Sequence, residues 1–163
     1  MADAPEFETR WIDAAATHDL RERILRPGFP QDVDFPGDTA DATVHAGAFD
    51  ARGQLVAIAS MYHEPRPVDA PGGVPPRDEH ATGAAWRLRG MAADPAVRRR
   101  GAGRAVLDAC LEHVRAQGGT LAWCNARTPA IPFYESQGWT TLGEEFHIPQ
   151  AGPHYVMELE LTS

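Results

Sequence analysis

Apolar positions alternate in some stretches of the chain and recur at helical spacing in others, and the switches between these periods mark the elements. Phe7 to Ile12 alternates weakly and predicts a first strand. Thr17 to Arg26 places Leu20, Ile24 and Leu25 near helical spacing, and Arg26-Pro27-Gly28 stops that helix. Gln31 to Asp41 is polar, carries Pro36 and Gly37, and reads as loop. The apolar runs Val44 to Phe49 and Gln54 to Tyr62, joined by Asp50-Ala51-Arg52-Gly53, predict an antiparallel hairpin. His63 to Gly83 holds five prolines and several glycines, a composition that reads as a long flexible loop inside the domain.

Ala84 to Ala93 predicts a strand, and residues 102–117 give the clearest helix of the chain. Val106, Leu107, Cys110, Leu111 and Val114 fall on one face of it, with Arg104, Asp108, Glu112 and Arg115 on the other. Gly118-Gly119 ends this helix and the apolar strand Thr120 to Asn125 follows, so strand, helix and strand make a parallel βαβ unit. Pro129 to Gln137 predicts a short helix closed by Gly138. Trp139 to Phe146 and Tyr155 to Leu161 predict two last strands. In the second, Tyr155, Met157, Leu159 and Leu161 alternate with Glu158 and Glu160, the pattern of a half-exposed strand. The order implies a mixed α/β fold, antiparallel at both ends and parallel in the middle, with no internal repeat.

A length of 163 residues fits one domain, 1–163, large enough to form a core without disulfides or metals. The formal net charge of −8 disfavours nucleic acid as a partner, because an acidic surface repels phosphate backbones. No apolar stretch approaches the roughly 20 residues that span a bilayer. Residues 1–10 lack the basic start and apolar run of a signal peptide, so no membrane association is expected. Cys110 and Cys124 show no CxxC spacing and read as reduced, buried thiols, the usage expected of a cytoplasmic protein. His45, His63, His80, His147 and His154 include no pair at a regular ligand spacing and no cysteine accompanies them, so no metal is expected.

The chemistry-bearing segment is Met91-Ala92-Ala93-Asp94-Pro95-Ala96-Val97-Arg98-Arg99-Arg100-Gly101-Ala102-Gly103-Arg104, set between a strand and the best helix. The first N–H groups of a helix lack partners within it and the helix dipole adds positive charge there. Gly101 and Gly103 leave the backbone open, and three arginines add charge, which together suit a diphosphate. A basic turn with two helix-start glycines and no ligand is the other reading of the spacing alone. Neither a GK[ST] sequence nor GxGxxG is present.

This segment resembles the central motif of the GCN5-related N-acetyltransferase (GNAT) family, R/Q-x-x-G-x-G/A, which Arg98, Gly101 and Gly103 match. Asn125-Ala126 followed by Phe133-Tyr134-Glu135 and Gly138-Trp139 resembles the second family signature. The resemblance covers about residues 85 to 145. It implies a mixed β-sheet splayed at its centre, with flanking helices, whose gap between the fourth and fifth strands takes the pantetheine arm of acetyl-CoA. By that resemblance, main-chain groups of Met91, Ala92 and Ala93 would pair with the arm and Asn125 would reach its amide. Arg98, Arg99, Arg100, Gly101, Ala102, Gly103 and Arg104 would hold the pyrophosphate.

The same resemblance implies transfer of an acetyl group to a primary amine of a small molecule or peptide, by direct attack in a ternary complex. Tyr134 matches the residue that protonates the leaving sulfur; the reading without the family is a core aromatic. Many members place a Glu on the fourth strand, whereas Arg87 and Arg89 stand there in this sequence. These arginines suit an acceptor carboxylate or phosphate, or else an exposed strand face. Candidate bases and acceptor residues are His45, His63, Glu64, Glu145 and His154. Dimers are common in the family, which makes a homodimer the oligomer to test. A non-catalytic acyl-CoA-binding regulator or sensor is the alternative function; it would keep Arg98 to Arg104 and have no use for Tyr134. A tRNA-acetylating toxin fits poorly with the acidic charge.

Overall fold

The structure, a computed structural model, describes residues 6–161. It divides into two compact units, Met1–Tyr62 with Gly90–Glu112 and His63–Arg89 with His113–Ser163.

In the first unit, β1 (Glu8–Ile12) pairs antiparallel with β2 (Val44–Phe49), from Glu8↔Phe49 to Ile12↔His45. β2 in turn pairs antiparallel with β3 (Leu55–Tyr62). The hairpin turn is closed by the Asp50 carboxylate, which accepts from the N–H groups of Arg52 at 2.9 Å and Gln54 at 3.0 Å. Between β1 and β2 the chain winds through one continuous helical stretch. It begins as a 3-10 turn at Ala15–Thr17, continues as α1 (His18–Leu20) and widens into a π turn at Arg21–Leu25. Leu20 packs with Ile58 and Ala92, and Ile12, Ile24, Leu25 and Leu55 surround them. The apolar spacing of that stretch therefore does form a helix, and its wide last turn carries Arg21 into the interior.

In the second unit, residues 63–83 contain α2 (Asp78–Thr82), ended by left-handed Gly83 at φ 84°. No apolar periodicity announced this helix. Arg66 is 2% exposed; its backbone N–H donates to His80 Nδ1 at 2.8 Å and its guanidinium to the carbonyls of Val74 (2.7 Å) and Pro75 (3.2 Å). β4 (Ala85–Ala93) and α3 (Ala102–Ala116) each belong to both units by sequence. β5 (Leu121–Arg127) runs parallel to β4 from Ala85↔Leu121 to Arg87↔Trp123, as the predicted βαβ unit requires. α4 (Ile131–Ser136) follows a 3-10 turn at Thr128–Ala130.

β6 (Thr140–Ile148) and β7 (Gly152–Glu160) complete an open mixed sheet of order β1-β2-β3-β4-β5-β7-β6, with flanking helices. β7 pairs antiparallel with both β5 and β6 and so is an interior strand. The half-exposed pattern expected for it is corrected here: Glu158 is 5% exposed, because Arg66 and His80 fold over its carboxylate. A Cβ on Gly143, in the β6 bulge, would collide with the Gly72 carbonyl, which accepts the Glu144 N–H at 2.9 Å. No helix among the described residues is long and apolar enough to cross a membrane.

Candidate active site

In the first unit, β4 leads through Met91, Ala92 and Ala93 to Asp94, whose N–H donates to the Val56 carbonyl at 2.8 Å. The Asp94 carboxylate caps the next turn, Pro95–Val97, by accepting the Ala96 N–H at 3.0 Å. The chain then passes through two left-handed residues, Arg99 at φ 66° and Gly101 at φ 94°. The N–H groups of Arg98 and Arg100 donate to the carbonyls of Pro95 at 3.4 Å and Val97 at 3.3 Å, and left-handed residues on either side of Arg100 are the backbone pattern of an anion-binding nest. The first helical bond of α3 runs from the Ala105 N–H to the Gly101 carbonyl, so the N–H groups of Ala102, Gly103 and Arg104 precede it. Nothing lies within 4 Å of a Cβ built on Gly101. An open, concave, positively polarised backbone of this kind fits a phosphate group. Arg98, Arg99, Arg100 and Arg104 are exposed around it, with Arg100 paired to Glu6 and Arg104 at 3.6 Å from Asp108.

α3 holds this nest firmly, because Ala102, Val106, Leu107, Cys110, Leu111 and Val114 are all buried. The amphipathic face read from the sequence is the face that packs. Cys110 is a free thiol, and burial pushes it up to about 12.

His45 belongs to the first unit and does not present an open ring. It is buried, with Nδ1 at 2.7 Å from Ser60 Oγ and Nε2 at 2.9 Å from the Asp38 carbonyl. It joins a buried polar group that sequence reasoning missed. There the Arg21 guanidinium donates to Asp38 Oδ2 (2.6 Å) and Oδ1 (3.1 Å), to Ser60 Oγ (3.1 Å) and to Tyr62 Oη (3.2 Å). These residues are up to 41 positions apart and share no motif.

The second unit gathers Arg87, Arg89, Asn125, Tyr134, Glu145 and His154. The β4–β5 ladder ends at Arg87↔Trp123, and a compact cluster stands there. The Arg87 guanidinium stacks 4.9 Å above the Trp123 ring and donates to Glu64 Oε2 at 2.8 Å. The Trp123 indole N–H donates to the Glu64 carbonyl at 2.8 Å. Arg87, anticipated as a group facing an acceptor, is thus engaged with a carboxylate of its own unit. Glu64 Oε1 has no hydrogen bond among the described residues.

Alternation along β5 places Asn125 on the face of Trp123 and Arg127, and Cys124 with Ala126 on the other. Tyr134 is near Cys124 and packs edge-on against Phe133 and Trp139 at centroid distances of 5.5 Å or less. Tyr134 is 7% exposed, and burial, then the neighbouring Cys124, push its phenol well above the ordinary tyrosine range. It therefore keeps its proton as a hydrogen-bond donor. His154 is buried, stacks with Phe146 at 6.0 Å and has Nδ1 at 2.8 Å from the Gly152 carbonyl. Glu145 is exposed and accepts from Thr128 Oγ1 at 3.0 Å. Among the described residues no group of three or more His, Cys, Asp or Glu is arranged to hold a metal ion.

Comparison with known proteins agrees with this geometry. The family described as "Acetyltransferase (GNAT) family" matches residues 10–139. The chain is 35% identical to the uncharacterized N-acetyltransferase YitI of Bacillus subtilis (strain 168) over 153 residues, 93% of this chain and 94% of that protein. Among solved structures, the ribosomal-protein-S18-alanine N-acetyltransferase of Escherichia coli superposes with a TM-score of 0.67 at 17% identity, over 96% of this chain and 95% of that one. A GCN5-related N-acetyltransferase from Kribbella flavida gives 0.65 at 20% identity, over 96% and 98%. A nest built on Arg98, Gly101 and Gly103, set in a mixed seven-stranded sheet and matched along most of the chain, makes this protein a member of the GNAT family of acetyltransferases.

Proposed function

We propose that the protein transfers an acetyl group from acetyl-CoA to a primary amine of a small molecule or peptide, by direct attack within a ternary complex. The observation that carries this reading is the nest at the start of α3, with left-handed Arg99 and Gly101 inside the family motif. It supports main-chain binding of the pyrophosphate between Arg99 and Arg104, chiefly by the N–H groups of Ala102, Gly103 and Arg104 that precede the first helical bond, with the side chains of Arg98, Arg99, Arg100 and Arg104 adding charge. Main-chain groups of Met91, Ala92 and Ala93 hold the pantetheine arm as an added strand would. A backbone N–H at Met91 or Ala92 polarises the thioester carbonyl. Asn125 hydrogen-bonds the pantetheine amide.

The amine attacks the carbonyl carbon, the C–S bond breaks, and the thiolate takes a proton from Tyr134, whose burial keeps it protonated. For the base we favour Glu64. Its carboxylate is fixed by Arg87 at the end of the β4–β5 ladder and keeps one oxygen clear of other hydrogen bonds among the described residues. Both nitrogens of His45 are already engaged, which argues against that ring. Arg89, Glu145 and His154 are the residues we assign to acceptor binding, and the two free cysteines favour the cytoplasm.

Calorimetric titration with acetyl-CoA tests the reading. Wild type should bind, and Gly103→Glu, which puts bulk and negative charge in the nest, should not. Folded wild type that fails to bind would sink it. A non-catalytic acyl-CoA sensor would bind but release no CoA with any of a panel of amines, and Tyr134→Phe would then change nothing.

A further inference from the structure

Arg21 is 0% exposed, yet it carries a full charge into the interior of the first unit. Its guanidinium is held on one side by Asp38, Ser60, Tyr62 and the Val33 carbonyl, the last at 2.8 Å. On its face it stacks on Phe35, 4.0 Å from the ring centroid. One edge remains. Nε is buried and has no hydrogen-bond partner among the described residues.

That edge lies against Gly90. A Cβ built there would stand 3.3 Å from Arg21 Nε, 3.5 Å from Nη2 and 3.2 Å from Phe35 Cε2. Gly90 also has φ 66°, a left-handed residue inside β4. A left-handed glycine within a strand marks an irregularity that re-aims the residues after it. The next residues are Met91, Ala92 and Ala93. An unsatisfied buried donor is costly, so its retention needs a reason.

We propose that Arg21 is a positioning residue. Clamped by Asp38, Ser60 and Tyr62 and stacked on Phe35, it is the wall against which the Gly90 turn rests, and it sets the direction of the N–H groups of Met91 to Ala93. This rests on the functional reading above, in which those groups hold the cofactor arm and polarise the thioester. Arg21 itself touches no reacting atom; it acts through the backbone of β4.

Tyr62→Phe and Ser60→Ala each remove one acceptor of Arg21 Nη2, together with the Tyr62–Asp38 bond in the first and the Ser60–His45 bond in the second, and both keep the Arg21–Asp38 pair, so both variants should fold. Two readouts are taken on each: the amide resonances of residues 91–93 and 102–104, and acetyl-CoA itself, by its dissociation constant and its slow hydrolysis. The resonances of Met91 to Ala93 should move while those of Ala102 to Arg104 stay. Hydrolysis should fall about tenfold, with the dissociation constant within about twofold of wild type. Unmoved Met91 to Ala93 resonances in both folded variants overturn the proposal, and so do moved resonances with unchanged hydrolysis. If wild type does not bind acetyl-CoA, the functional reading fails, and the Arg21 clamp stands or falls on the resonances alone.

Discussion

Asp38→Asn removes the counter-charge of a guanidinium that has no access to water. The wild-type carboxyl titrates at about 2 instead of 3.8. Burial by itself would raise that value; hydrogen bonds from Arg21, Tyr62 and the Phe35 N–H, together with the Arg21 charge, outweigh it. A shift of that size corresponds to about 2.5 kcal/mol of stability. Leaving a buried charge unpaired typically costs about 3–5 kcal/mol, and the asparagine amide adds a donor that faces guanidinium donors. With a urea slope of about 2 kcal/mol per molar, the midpoint of Asp38→Asn should fall by more than 1 M at neutral pH. The assay is urea unfolding followed by fluorescence of the buried Trp86, Trp123 and Trp139. The pH dependence gives the sharper test. A carboxyl depressed in the folded state contributes stability above its unfolded value near 3.9, and that contribution is lost as pH falls through about 2. The gap between wild type and variant should be full at pH 5 to 7, narrow below about 4 and be small near 2. A gap that stays constant with pH, or is under about 0.5 M at neutral pH, would refute the reasoning.

Burial, then the Arg66 charge, push His80 below its ordinary value of 6.5, against the opposing pull of Glu158 and Glu79. A neutral buried histidine stabilises above 6.5 and loses that contribution as pH falls below it, so wild-type urea midpoints should drop between pH 7.5 and 5. His80→Gln should drop less, and equal slopes would count against the burial argument. Burial likewise drives the Cys124 thiol far up and Cys110 to about 12. Neither should react with a maleimide at pH 8 in the native state, and both should react in urea; rapid native labelling of Cys124 would contradict its placement.

The two segments read most clearly from sequence were α3 and the turn before it. Val106, Leu107, Cys110, Leu111 and Val114 recur at the helical period, and the helix buries that face. Strand boundaries shifted by a few residues: β5 continues to Arg127 and β7 begins at Gly152, where main-chain pairing continues past the apolar run. The segment from His63 to Gly83 read as loop by its prolines. Its attachments run through Arg66 and His80, polar residues that no hydrophobic pattern reports.

The sequence by itself determined what depends on neighbours along the chain. Helix period, the glycines that close a helix and the unpaired N–H groups of a helix start are properties of ten or fifteen consecutive residues, so an anion site at the start of α3 could be expected before any fold was known. The tertiary structure decided what depends on residues brought from far away. Glu158 alternates like a surface residue and is buried, because Arg66 and His80 cover it from some eighty to ninety positions earlier. Arg21, Asp38, Ser60 and Tyr62 look like four unrelated polar residues until the helical stretch, its following loop and β3 enclose them. A charge can enter a core only where its counter-charge and hydrogen-bond partners arrive in three dimensions, and linear spacing carries no record of that meeting.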